Sequence, residues 1–187
     1  MSLVTLAVGW ALLAVALAGC GTSDPGRATG PFAWLKPTPV PVGWNVVHGG
    51  AGAALAYPPG WIPVKTDPGT ASVALLGNAK RIDGYLNTTP RQGTETLADW
   101  SRFRPRHNRE EGDRSLRVIA ATTSGRFRSG AGACVIDTYT TSKATYREIA
   151  CLVSGPSSSS VVVAAAPTAL WGQEASTLER AVSSFVG

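Results

Sequence analysis

Imidazoles, thiols and opposed carboxylates are the side chains from which a reactive centre is most readily built, and this 187-residue sequence offers few of each. His48 and His107 are its two histidines, and neither lies in a metal-ligand motif. There is no Gly-x-Ser-x-Gly elbow for a serine nucleophile, and no Walker pattern or other phosphate-binding glycine loop. His48-Gly49-Gly50 reads as a strand running into a flexible turn, and His107, between Arg106 and Asn108, as a surface residue of a polar loop. The chain is therefore expected to be no enzyme and to need neither metal nor cofactor. The competing reading is a hydrolase in which His48 or His107 acts with a distant Ser or carboxylate. Hydrogen-bond reach within a cleft favours that reading, and isolation of both histidines on loops ends it.

Binding chemistry is better supplied. Trp44, Trp61 and Trp100 with Arg102, Arg104 and Arg106 combine aromatic faces with cations, a mixture suited to glycans or anionic amphiphiles. Taken one at a time, each tryptophan is expected in a core instead. The cationic stretch continues through Arg109, Arg114 and Arg117, with Arg126 and Arg128 beyond, in a chain of formal charge +5. Such a patch either meets anionic head groups or acidic glycans or is a solvated face.

A third kind of chemistry lies near the N-terminus. An uncharged apolar stretch starting at Leu3 closes on Leu17-Ala18-Gly19-Cys20. It is short for a bilayer span, which needs about 20 apolar residues, and suits a secretory leader ending in small residues. The tetrapeptide resembles the lipobox of bacterial lipoproteins, although the Lys or Arg usual before the apolar run is missing. That resemblance implies a diacylglyceryl group on the Cys20 thiol, cleavage in front of it, and the membrane as partner through the lipid. Two or three acyl chains anchor durably where one does so marginally, at about 0.8 kcal/mol per buried methylene. Residues 1–19 are read as the signal peptide, and the remainder as lipid-anchored on the extracytoplasmic face of the cell membrane. Export and the lack of a nucleic-acid-binding signature argue against nucleic acid as a partner.

With Cys20 assigned, Cys134 and Cys151 remain, and in an exported chain without a Cys-x-x-Cys motif they read as a disulfide. Residues 134–141 and 145–153 look like the arms of a β-hairpin. If the cysteines face each other, Ile136 opposes Ile149, Tyr139 opposes Tyr146, and Ser142-Lys143 is left as a two-residue turn. That turn lacks the Gly or Asn usual there, so a longer loop with shifted pairing stays open. Closing the 18-residue loop would stabilise the fold by about 3 kcal/mol. The same register opposes Asp137 to Glu148. Like charges so placed splay toward solvent, which is the expectation, or are shielded by Lys143 or Arg147, or hold a cation.

These residues need elements to hold them. Residues 20–43, rich in Gly, Pro, Ser and Thr, read as a tether whose Phe32, Trp34 and Leu35 either meet the lipid interface or dock on the domain. One domain is expected over 44–187, with an ordinary hydrophobic content of 44% for the whole chain. Short strands are predicted at 44–47, 53–57, 72–76, 85–88 and 116–123, with Tyr57-Pro58-Pro59-Gly60-Trp61 as a turn. A helix capped by Thr94 runs to about Arg104, with Leu97, Trp100 and Phe103 on one face and Pro105 stopping it. Val161 to Ala166 is apolar throughout, as befits a central strand covered on both faces. Trp171, Ala175, Leu178, Val182 and Phe185 advance by 4, 3, 4 and 3, the spacing of a helix with one buried stripe.

The turn at Tyr57 to Trp61, the mid-chain helix, the antiparallel strands and the closing Leu178-Glu179-Arg180-Ala181-Val182-Ser183-Ser184-Phe185 resemble the PsbP-like fold over residues 44–187. That fold is shared by the extrinsic photosystem subunit PsbP, a Ran-binding nuclear-import factor and actinobacterial lipoproteins of the LpqN type. The resemblance implies an α+β fold, an α/β/α sandwich whose central antiparallel sheet is flanked by helices. It also implies a non-catalytic binding or assembly role for envelope proteins, glycans or lipids, and it carries no functional residue with it.

Overall fold

The computed structural model describes residues 30–187. The signal peptide expected at 1–19 and the lipid acceptor Cys20 lie outside the described residues. Strands β1 (Asn45–His48) and β2 (Ala54–Tyr57) pair as an antiparallel ribbon. Seven further strands are β3 (Ile62–Val64), β4 (Ala71–Leu76), β5 (Ile82–Pro90), β6 (Arg114–Arg126), β7 (Ala131–Thr140), β8 (Thr145–Ser154) and β9 (Ser159–Pro167). They form one antiparallel sheet in the order β3-β4-β5-β9-β8-β7-β6. Helix α1 (Trp100–Glu110) covers one face and α2 (Trp171–Ser184) the other, so the architecture is the expected α+β sandwich.

Strand alternation sorts the side chains between the two helices. Val162 and Ala164 of β9 join Cys151, Leu86, Leu178, Val182 and Phe185 in the core under α2. Their neighbours Val161 and Val163 turn the other way, to Val135, Ala150, Leu152 and Trp100 under α1. The unbroken apolar run of β9 is thus explained by burial on both faces, in the middle of the sheet.

The β7–β8 hairpin adopts the predicted register. Cys134 opposes Cys151 and is bonded to it, Ile136 opposes Ile149 and Tyr139 opposes Tyr146. The turn is Ser142-Lys143, closed by the Thr141 N–H donating to the Ala144 carbonyl at 2.9 Å. No glycine is needed because the Thr141 hydroxyl accepts the N–H groups of Lys143 and Ala144 at 3.0 and 3.2 Å.

Two local expectations are corrected. The mid-chain helix begins at Trp100, after a Thr96/Asp99 capping box in which each side chain accepts the other's N–H, so Thr96 and not Thr94 opens the turn. Pro105 lies inside α1 rather than ending it. An interior proline costs about 3 kcal/mol in a free helix. Here contacts to the sheet offset that cost: the Trp100 indole N–H donates to the Ala150 carbonyl at 2.9 Å, and Arg104 is ion-paired to Glu148. Upstream of β1, Phe32, Trp34 and Leu35 dock on the core beneath α2, and the Thr38 N–H donates to the Ser183 carbonyl at 3.0 Å. Among the described residues no helix is long and apolar enough to cross a membrane.

Candidate binding cleft beside helix α1

Helix α1 packs over β6, β7 and β8, so β4 and β5 on the same face carry no helix. The step between the C-terminal half of α1 and these bare strands is a cleft of ≈ 400 Å³. Strand alternation decides what its sheet wall presents: Tyr85, Asn87 and Thr89 of β5 project there while Leu86 points to the opposite core. The wall is internally tied. Asn87 Nδ2 donates to Ser72 Oγ at 2.7 Å, and Ser72 Oγ lies 3.0 Å from the Tyr85 hydroxyl. The helix wall contributes Arg104, His107, Asn108 and Glu111, four residues on one side of α1 and its cap, and Asp113 closes the end.

Glu148 lines the cleft, and Asp137 stands opposite it across the hairpin. Asp137 and Glu148 do face each other across β7 and β8, but both are fully buried, which overturns the expectation that they splay into solvent. Neither Lys143 nor Arg147 shields them. The cation is Arg104, which donates from Nε to Glu148 Oε1 at 2.7 Å and from Nη2 to Oε2 at 2.8 Å, a bidentate pair. Burial works against the Arg104 charge and Glu148 outweighs it, so its pKa ends above the ordinary value. With Glu148 saturated by the guanidinium, Asp137 is left with no hydrogen-bond partner on either oxygen. Its burial first, and the Glu148 charge second, push its pKa up to about 7. Burial likewise raises Tyr139, again helped by Glu148, and Asp113, helped by Glu111. Asn108 is also buried, and its Nδ2 has no partner although the residue lines the cleft.

The sequence-predicted surface is not assembled. Trp61 and Trp44 belong to the core under α2, with Arg180 stacked over Trp44 at 5.5 Å, whereas Trp100 is buried under α1 on the other side of the sheet. Of the arginines, Arg104 enters the cleft; Arg102 and Arg106 are exposed on the outside of α1, where Arg106 lies 3.6 Å from Glu110. The histidines separate as well. His48 is exposed on β1. His107 is half-buried on α1, not in a loop, stacked against Phe103 and 3.2 Å from Glu111, and it lines the cleft. The i, i+4 spacing of His107 and Glu111 was the available signal for this pair. Among the described residues no cluster of three or more His, Cys, Asp or Glu is placed to hold a metal ion.

No family model matches the chain, and no curated protein sequence does. Similarity appears in three dimensions. The cyanobacterial PsbP protein (CyanoP) of Synechocystis superposes with a TM-score of 0.54 at 19% identity, over 86% of this chain and 98% of that one. The fold is PsbP-like. A Pseudomonas aeruginosa protein of unknown function superposes with a TM-score of 0.51 at 11% identity, covering 77% of this chain and 96% of its own. LpqN of Mycobacterium tuberculosis, involved in cell envelope biogenesis, gives 0.41 at 13% identity over 76% and 89% of the two chains, too low to carry an argument. At such identities the PsbP-like match concerns backbone arrangement and says nothing of which residues act.

Proposed function

We propose that the chain is an extracytoplasmic envelope protein, lipid-anchored through Cys20, whose PsbP-like domain binds a hydroxyl-rich ligand, a glycan, in the cleft beside α1 and does not transform it. The observation that carries the reading is the buried amide of Asn108, a residue lining the cleft, whose Nδ2 has no partner, in a pocket whose wall is mostly polar, with amides, carboxylates, threonines and tyrosines beside Arg104 and His107. A buried donor left unpaired costs about 1–3 kcal/mol, which a ligand hydroxyl recovers on binding. Carboxylates outnumber cations around the cleft, with Asp67, Glu111, Asp113 and Glu148 against Arg104 and His107, which disfavours the anionic amphiphiles the sequence had admitted. Titration with neutral di- and oligosaccharides, read by saturation-transfer NMR, should show contact in the parent and lose it in Asn108→Leu and Asn87→Leu. Absence of saturation transfer from every saccharide would remove the reading.

A second reading is favoured by one observation. His107 Nε2 within 3.2 Å of Glu111 in a cleft meets the geometric condition for a hydrolase in which an oriented imidazole activates water. Against it, the residues lining the cleft include no Ser or Cys nucleophile. Product formation from the saccharides that bind, abolished by His107→Asn, would establish that reading. The anchor is tested separately: Cys20→Ala is expected to abolish partitioning of the native protein into detergent, and unchanged partitioning would contradict lipidation.

A further inference from the structure

The cleft occupies one face of the sheet, while the β6 edge carries a feature of another kind. From Arg114 to Ile136 the sequence has no acidic residue. Arg114, Arg117, Arg126 and Arg128 are all exposed, and none takes part in the ion pairs found among the described residues. Between them, at a shift in the β6–β7 register, Ile119 is an extra residue between Val118, opposite Asp137, and Ala120, opposite Ile136. Val118 and Ile119 are each 44% exposed. The last strand of the sheet therefore presents three unpaired cations, with Arg128 a fourth in the turn that follows, and among them two adjacent exposed aliphatic side chains. Register shifts at three places and a row of cations are also what prevent a further strand from pairing, so this edge suits a broad anionic surface and not an extended peptide.

The front of the chain reaches the same edge. Leu35 packs at Gly125 of β6, where an added Cβ would stand 3.2 Å from Leu35 Cδ2, and Pro37 shares a surface hollow with Arg126 and Arg128. From Cys20 to Gly30 is ten residue steps, a reach of at most about 35 Å. A lipid on Cys20 would hold Gly30 within that distance of the bilayer, five residues ahead of the Leu35 that meets this edge.

We propose that the β6 edge is the membrane-facing surface of the domain, with Arg114, Arg117, Arg126 and Arg128 on anionic lipid head groups and Val118 and Ile119 at the acyl boundary. The orientation rests on the lipid-anchor reading of Cys20, whereas the affinity for anionic lipid does not. Each cation at an anionic surface is worth about fivefold in partitioning and is screened by salt. The chain from residue 20 onward contains every described residue, and with Cys20→Ser it carries no acyl group. It should cosediment with phosphatidylcholine vesicles only when they contain phosphatidylglycerol, and less as salt is raised. Arg117→Gln with Arg126→Gln should lower the partition coefficient roughly 30-fold. Val118→Ser with Ile119→Ser should weaken binding and leave its salt dependence intact. Arg102→Gln with Arg106→Gln, on the outside of α1, should have a much smaller effect. Equal binding of the parent and the β6 arginine variant, no preference for phosphatidylglycerol, or an equal loss in the α1 variant would each overturn the proposal. These substitutions are at exposed positions, so unchanged thermal unfolding serves as the check on folding. The mass of residue 20 in the native protein reports the anchor alone, and an unmodified thiol there would fail that reading without altering the vesicle result.

Discussion

Replacing Asp137 with Asn should stabilise the protein, and only above a defined pH. The Asp137 carboxyl is fully buried, faces Glu148 from β8, has Asp113 nearby and Tyr139 on its own strand, and feels one compensating cation, Arg104 of α1. Its pKa rises from 3.8 to about 7. Between those values the folded chain holds a proton that the unfolded chain has released, so stability falls as pH rises through the window. The slope is about 1.4 kcal/mol per pH unit, and the total loss from Asp137 by the top of the window is about 4 kcal/mol. Asn has nearly the shape of the protonated acid and does not ionise. Asp137→Asn and the parent should therefore match near pH 4, diverge through pH 7, and differ by about 4 kcal/mol at pH 8. Urea unfolding followed by tryptophan fluorescence across this range measures the difference from the midpoints, provided the slope m is unchanged. A difference that stays flat with pH, or a variant less stable than the parent at pH 8, would refute the burial argument.

Arg104→Met leaves the buried Glu148 without its guanidinium and should cost about 3–5 kcal/mol at neutral pH, as the same urea unfolding would show. Removing the disulfide with Cys134→Ala and Cys151→Ala should cost about 3 kcal/mol, and a loss below about 1 kcal/mol in denaturant midpoints would contradict the loop-entropy account. Gly84→Ala places a Cβ 2.5 Å from the buried Trp61 ring and should lower stability by about 1–3 kcal/mol, with a changed Trp61 environment in near-ultraviolet dichroism.

What could be read from the sequence was whatever a local rule decides. Two cysteines on facing strands fix a register, and from it followed the opposition of every pair in the β7–β8 hairpin. The apolar run 161–166 and the 4-3-4-3 spacing after Trp171 are similarly self-contained. The cleft was not readable because its parts meet only in three dimensions: Arg104 and Glu148 are 44 positions apart, and nothing in the local pattern of β8 says that its one acidic residue has a guanidinium waiting above it. Pro105 failed for the same reason, since a rule about free helices omits the indole and guanidinium bonds that tie α1 to the sheet. Each tryptophan taken singly was expected in a core, as Trp61 and Trp100 are, and only their grouping with the arginines into one surface misled. Large rings with polar tips suit a ligand surface and a core equally, and the helix and sheet layers sent Trp61 and Trp100 to opposite cores.

The disulfide and the carboxylate pair are consequences of one geometric fact. Cys134 with Cys151 and Asp137 with Glu148 are cross-strand pairs three steps apart on the same two strands, and an odd number of steps on a pleated strand reverses the face. The sulfurs therefore lie in the apolar core under α2 while the carboxylates lie beneath α1, within reach of Arg104. A slip of β8 by one position against β7 would turn its residues to the other face, carrying Glu148 into the core of Leu178, Val182 and Phe185 and Cys151 to the side of the guanidinium. The covalent bond forbids that slip at the one place in the sheet where repulsion between opposed charges works against the native pairing. It thereby keeps the ion pair in place that fastens the helix wall of the cleft to the sheet.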